Sequence, residues 1–373
     1  MSLPSKTIEP KHGGDLHSFS ELFQVKEAGV LDFSSNINPL GISESARRVY
    51  LESADELKRY PDPHAREFCR ELTRHFPVRY ENLLAGNGSI ALLNLAIEAL
   101  APKRALLVEP CFVEYRRLLE LEGVKVRSLK LKASESFRFN LSRIYGALEG
   151  MDLLILGQPN NPTGTGLARH ELLDLLESAR RAGVFVIVDE AFVDWHPELS
   201  VSDEVKEDGV FLVLRSLTKF FGLAGIRAGF AIGPSPWIAA MKARQETWSF
   251  NRIAQKISVA VLQDRAFQEK SRQWFSQETV WFYHQLKSFQ FLNVYPSLAN
   301  FFLIQFKQSN APFWVRFLAR EGICVRGAED FPGLDHSFFR IAVRWRHENE
   351  RLIRTFEQWK QKIGIPADLP AVP

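Results

Sequence analysis

The sequence predicts an α/β protein, with a large domain built on a mostly parallel mixed sheet between helices and a smaller α+β domain at the C-terminal end. Three observations carry this. From about residue 83 to 232, short β-rich runs alternate with helical stretches, the pattern of a parallel sheet wrapped by helices. Those runs are apolar nearly throughout instead of alternating, as strands covered on both faces are. After residue 250 the pattern changes to a long helical stretch, then strands and a helix.

Taken in order, ALLVEP, VKVRSLKL, DLLILGQP, VFVIVDEAF, VFLVLRSL and AGFAIG read as strands, with SIALLNLAIEAL and RHELLDLLESARRAG among the helices between them. The segment from Asn251 to Phe289 is helical; NFFLIQF, ICVRG and FFRIAVRW follow as strands, with PFWVRFLAREG as a helix. These patterns predict an arm over residues 1–45, a large domain over 46–265 and a small domain over 266–373. The first 60 or so residues are left to pack against the small domain or a partner chain.

Composition excludes several functions. Lysine plus arginine total 47 against 44 acidic residues, and the scattered signs give no argument for a nucleic-acid or membrane partner. The three cysteines, Cys69, Cys111 and Cys324, lack metal or disulfide spacing, so no metal is expected and a reducing compartment is the simplest reading. The N-terminus lacks a secretion signal's apolar core, and no run of 18 apolar residues exists; the expectation is a soluble, cytoplasmic protein.

Ligands of open α/β sheets bind beyond the carboxyl ends of strands, and four such places hold chemistry-bearing residues. Asn87, Gly88 and Ser89 precede an apolar helix, where free N–H groups suit a phosphate or serve as an ordinary cap. Asn160, Asn161 and Pro162 follow LILGQP, a turn common in any protein. Asp189 and Glu190 follow an apolar strand, where a carboxylate needs a cationic partner or solvent. Lys219, flanked by Ser216 and Thr218, follows VFLVLRSL; a lysine in a partly dry pocket suits Schiff-base chemistry. Together these are the parts that hold pyridoxal phosphate: a lysine for the aldehyde, a carboxylate for the ring nitrogen, and amides, hydroxyls and a cation for the phosphate. Asn161 then suits the ring hydroxyl, Phe112 the ring face, and Arg227 the phosphate.

GNGS, PNNPTG, DEAF and SLTKFFGLAGIRAG, in this order and spacing, resemble the fold-type I pyridoxal-phosphate enzymes of the aminotransferase class I and II family. The resemblance spans nearly the whole chain. It implies Lys219 as the Schiff-base lysine, Asp189 as the partner of the ring nitrogen, Asn161 as the partner of the ring oxygen, and Asn87, Gly88, Ser89, Ser216, Thr218 and Arg227 as the phosphate cradle. Phe192 stands where many members carry a tyrosine to the ring oxygen.

Within the family the chain is similar to two branches, histidinol-phosphate aminotransferases and the threonine-phosphate decarboxylases of cobamide biosynthesis. LDFSSNINPLG and KRYPDP suit both; KHGGDLHSFSEL resembles the decarboxylases. The resemblance implies His12, Gly13, Asn36, Tyr60, Asn161, Arg326 and Arg340 around a phosphorylated amino acid, with Tyr60 reaching the other subunit of a homodimer with shared sites. Read as a strand, FRIAVRWR puts Arg340, Arg344 and Arg346 on one face; the resemblance singles out Arg340. A cofactor fold turned sensor would have lost Lys219 or Asp189, and both are present.

Overall fold

The computed structural model describes residues 13–307 and 311–363. Its contacts divide the chain into two units, one holding the residues through Asn36 and those from Phe275 on, the other running from Ile37 to Trp274. The divisions expected from pattern lay at 45/46 and 265/266. One observed break falls inside a continuous helix, Arg265–Lys287, where periodicity offers no mark.

In chain order the strands are β1 (Leu31–Asp32), β2 (Leu83–Gly86), β3 (Arg104–Glu109), β4 (Lys125–Lys130), β5 (Leu153–Gly157), β6 (Phe185–Asp189), β7 (Phe211–Ser216) and β8 (Gly229–Ile232). β9 (Leu292–Val294), β10 (Phe301–Phe306), β11 (Ile323–Cys324), β12 (Arg326–Gly327) and β13 (Phe338–Ala342) follow. The helices are α1 (Leu16–Phe23), α2 (Glu44–Glu52), α3 (Arg66–His75), α4 (Ser89–Leu100), α5 (Val113–Leu121) and α6 (Leu141–Leu148). They continue with α7 (Arg169–Ala182), α8 (Ser235–Lys242), α9 (Arg252–Gln263), α10 (Arg265–Lys287), α11 (Ala311–Arg320) and α12 (Arg346–Ile363).

The unit from Ile37 to Trp274 is built on a seven-stranded sheet of order β2-β8-β7-β6-β5-β3-β4. β8 runs antiparallel to both neighbours and every other pairing is parallel. The strands β2, β5, β6, β7 and β8 are buried along their whole length, which is why their residues do not alternate. β4 departs from that expectation. It lies at the sheet edge, and only Val126 and Leu129 are partly covered, so its polar residues face water. Helix α4 places Leu92, Leu93, Ala96 and Ile97 against Leu107, Ile155, Ile187 and Leu214 of the sheet. Burying each of the larger side chains contributes about 1.5–3 kcal/mol.

In the other unit β10 lies between β13 and β9, and β12 pairs with β13, all antiparallel. β1 pairs with β11 in parallel. Aromatic side chains fill this core: Phe306 stacks on Trp314 at 4.5 Å and on Phe339 at 4.7 Å. The strand expected to run through FRIAVRWR ends at Ala342. Asn349 Oδ1 accepts from the Arg344 amide at 3.0 Å and Glu348 Oε2 from the Trp345 amide at 3.2 Å, turning the chain into α12. Arg346 therefore belongs to a helix, and the one-face reading of the three arginines fails there.

Candidate active site

β2 and β7 both run antiparallel to β8, so β2, β7, β6 and β5 all end at the edge where β8 begins. The register pairs Gly86 and Ser216 each with Gly229, Asp189 with Leu214, and Gly157 with Asp189. All four motifs read from the sequence thus meet at one sheet edge.

At that edge Gly88 caps α4 with φ 85° and offers no side-chain hydrogen bond. A Cβ at Gly88 would lie 2.9 Å from Arg227 Nη2, and one at Gly229 would lie 2.7 Å from the Ser89 amide nitrogen. Glycine at both places lets a guanidinium and the positive end of a helix approach one small space, a fit for a phosphate. Ser216 and Thr218 are buried, with the Thr218 amide donating to Ser216 Oγ at 3.2 Å. Ser89 is half-buried, while Asn87 and Arg227 are exposed.

Asp189 is 7% exposed at the end of β6. Tyr115 donates its hydroxyl to Oδ2 at 2.7 Å and the Ala191 amide donates to Oδ1 at 3.0 Å. No cation among the described residues pairs with it. Burial pushes its carboxyl above the usual range, Tyr115 and the Ala191 amide pull it back, and Glu190 adds to the rise. A cationic ring nitrogen would supply the missing charge. Glu190, by contrast, is spent on structure: it accepts from Arg215 at 3.1 Å, Ser200 at 2.6 Å, Ser202 at 3.0 Å and the Val201 amide at 2.8 Å. Arg215 reaches Asp194 at 2.5 Å.

Lys219 is half-buried in the turn after β7. Its carbonyl accepts from the Asn38 amide at 2.9 Å, and Asn38 Nδ2 donates to the Phe220 carbonyl at 2.7 Å and to Ser271 Oγ at 2.9 Å. Gly222, at φ 68°, has room only for a hydrogen where a Cβ would stand 2.4 Å from the Gly41 carbonyl oxygen. The segment Asn38–Gly41 thereby clasps the lysine turn. In PNNPTG, Asn160 is buried and holds the turn through Pro110 O at 2.9 Å and Thr163 Oγ1 at 2.8 Å, presenting half-buried Asn161. Phe112 meets the ring of Tyr115 edge-on at 5.6 Å. Sequence reasoning missed Tyr115 and Asn38. The tyrosine one helical turn beyond Phe112 and the second asparagine of NINP were the signals available.

Tyr60 belongs to this same unit, 75% exposed and stacked on Trp248 at 4.6 Å. Tyr50, Leu51, Leu57 and Trp248 are also exposed.

In the other unit Arg326 of β12 lies directly opposite Arg340 of β13, and both are buried. Arg326 pairs with Asp330 at 2.5 Å, and Arg340 Nη2 donates to the Ser34 carbonyl at 2.8 Å. Burial and then Arg326 push Arg340 down to about 9, against the pull of Asp32 and Asp330. A Cβ at Gly13 would lie 2.0 Å from the Ser34 oxygen and 3.3 Å from Arg340 Nη2, so only glycine fits at this position. Asn36 is buried, its carbonyl accepting from Asn300 at 3.0 Å and its Oδ1 finding no donor among the described residues. Arg344 is held by Glu348 at 2.9 Å and Asp32 O at 3.0 Å, and Arg346 by Glu278 at 3.0 Å. His12 lies outside the described residues. Among the described residues no group of three His, Cys, Asp or Glu is placed to hold a metal, and no helix is long and apolar enough to cross a membrane.

The profile of the family described as "Aminotransferase class I and II" matches residues 28–356. A threonine-phosphate decarboxylase of Salmonella typhimurium is 33% identical over 359 residues, covering 96% of this chain and 98% of that one. A histidinol-phosphate aminotransferase of Clostridium kluyveri is 33% identical over 307 residues, covering 81% of this chain and 85% of that one. Among solved structures, the histidinol-phosphate aminotransferase of Clostridium acetobutylicum has a TM-score of 0.84 at 28% identity, covering 89% of this chain and 100% of that one. With most of the chain matched, and a sheet edge shaped for pyridoxal 5′-phosphate, the chain belongs to the aminotransferase class I and II family of pyridoxal-phosphate enzymes.

Proposed function

We propose that the chain decarboxylates an O-phospho amino acid, L-threonine O-3-phosphate or L-serine O-phosphate, to the amino alcohol phosphate that links the nucleotide loop of a cobamide. The observation that carries this is the buried pair Arg326 and Arg340 on facing strand positions. Two buried guanidiniums side by side suit anionic groups, and a phospho amino acid brings a phosphate and a carboxylate. Guanidinium forks hold such groups bidentately. Gly13, His12, Asn36 and Tyr60 are assigned as further substrate contacts, and Gly13 itself lies beside Arg340.

On the cofactor side, Arg227, Asn87, Gly88, Ser89, Ser216 and Thr218 are assigned to the phosphate, Asn161 to the ring oxygen, Phe112 to the ring face and Asp189 to the ring nitrogen. Bound through Lys219, pyridoxal phosphate supplies a sink for the electron pair left at Cα when a bond there breaks. Arg326 and Arg340 are assigned to the phosphate and carboxylate of the substrate, and their hold on it would decide which bond at Cα breaks. Lys219, or a water, would return a proton to Cα after loss of CO2; in the transamination reading Lys219 would take the Cα proton instead.

The aminotransferase reading is the alternative, favoured by the Clostridium relative at equal identity over a shorter span. Incubation with each phospho amino acid, with CO2 and glutamate assayed separately, decides between them. CO2 release without 2-oxoglutarate consumption is expected; glutamate formation without CO2 refutes the proposal. The exposed Tyr50, Leu51, Leu57, Tyr60 and Trp248 favour a second copy of the chain as partner, which sedimentation of wild type and Tyr60→Ala tests.

A further inference from the structure

We propose that Tyr115 is a positioning residue for Asp189, holding its carboxylate ionised and in one orientation for the ring nitrogen of the cofactor. The phenol donates to Oδ2 at 2.7 Å from within the core, where Tyr115 is 2% exposed. Phe112 meets its ring edge-on at 5.6 Å.

Asp189 needs this donor because its other surroundings oppose its charge. Burial and Glu190 both raise its pKa, and only Tyr115 and the Ala191 amide lower it. The in-register neighbours on β5 and β7 are Gly157 and Leu214, neither ionisable. Glu190 is itself held by Arg215 at 3.1 Å, Cys111 stands beside the phenol, and the turn after β7 carries Lys219. Tyr115 cannot surrender its proton in place of Asp189, because burial and then the Asp189 charge raise its own pKa well above the ordinary value. It remains a neutral donor wherever Asp189 is an anion.

The sign of the effect follows. A donor that lowers the Asp189 pKa extends pairing with a cationic ring nitrogen to lower pH, so losing it makes the cofactor leave at higher pH. The test measures cofactor dissociation from the loaded protein, by its visible absorbance, between pH 5 and 9. Tyr115→Phe is expected to move the acid limb up by about one pH unit and to weaken retention about tenfold at pH 6, the size of one hydrogen bond to a charged group. Asp189→Asn removes the limb, and adding Tyr115→Phe to it changes retention less than about twofold. An equal loss in both backgrounds makes Tyr115 merely structural and overturns the inference. Should Tyr115→Phe fail to fold, 3-fluorotyrosine at 115, a stronger donor of nearly the same shape, is expected to move the limb down, and an unmoved limb overturns the inference. The inference rests on the cofactor but not on which bond is broken: a limb that fails to move overturns it alone, whereas glutamate formation without CO2 overturns the decarboxylase reading alone.

Discussion

Asn38 is the residue whose removal tests the account of the lysine turn most directly. It is 1% exposed. Its Nδ2 donates to the Phe220 carbonyl at 2.7 Å and to Ser271 Oγ at 2.9 Å, and its Oδ1 accepts from the Leu40 amide at 3.1 Å. Asn38→Ala strips partners from one backbone carbonyl, one backbone amide and one hydroxyl while leaving the Asn38 amide on the Lys219 carbonyl. Each buried group left unsatisfied costs about 1–3 kcal/mol. The carbonyl and amide dominate, because the Ser271 hydroxyl can turn elsewhere, so the sum is about 2–6 kcal/mol. For a unit of the size of Ile37–Trp274 each kcal/mol shifts Tm by about 2–4 °C, so a fall of at least about 4 °C is expected. The assay is thermal unfolding of the cofactor-loaded protein, followed by circular dichroism and by cofactor absorbance, with both transitions moving together. Asn38→Asp keeps the Leu40 bond but faces Phe220 O with an acceptor, and costs at least as much. A Tm within about 1 °C of wild type for Asn38→Ala, well under the shift for a single kcal/mol, refutes the clasp.

Gly88→Ala places a methyl 2.9 Å from Arg227 Nη2 at φ 85°, and is expected to weaken cofactor affinity at least about tenfold in an absorbance titration, since φ strain alone costs ~1–2 kcal/mol. Arg340→Lys keeps a charge but loses the fork, so KM for the phospho amino acid should rise about tenfold or more with cofactor affinity unchanged, as one charge-assisted bond is worth ~1.5–3 kcal/mol. Gly13→Ala drives a methyl to within 2.0 Å of the Ser34 oxygen; kcat/KM should fall while the absorbance of the loaded protein persists.

The placement of the candidate residues was legible where buried strands end. Asp189 closes one such strand, and Lys219 and Asn161 come within four residues of another's end; an apolar run of this kind announces a strand buried on both faces. What stayed hidden depends on contacts that no local pattern encodes. Tyr115 acts on a carboxylate 74 residues away and Asn38 on a carbonyl 182 residues away. The opposition of Arg326 and Arg340 is a matter of strand register across a connection. β2 is four residues long, too short for a period to appear. Arg344 and Arg346 continued a strand-like alternation that Glu348 and Asn349, further along, turn into a helix.

The buried charges separate structure from function more sharply than any motif does. Glu190 and Asp194 both bond Arg215, and the Ser200 and Ser202 hydroxyls add bonds to Glu190, so each of the three buried charges meets an opposite charge. Asp189 sits one residue from that set with two donors and, among the described residues, no cation, and Arg326, which pairs with Asp330, lies directly opposite Arg340. A buried carboxylate without a cation is costly, which is why a positive ring nitrogen is proposed for Asp189; two facing guanidiniums suit an anion. A cofactor with a basic ring nitrogen and a substrate that is an anion at one end meet both demands, and among the activities of this family an O-phospho amino acid supplies the second with a phosphate as well as a carboxylate.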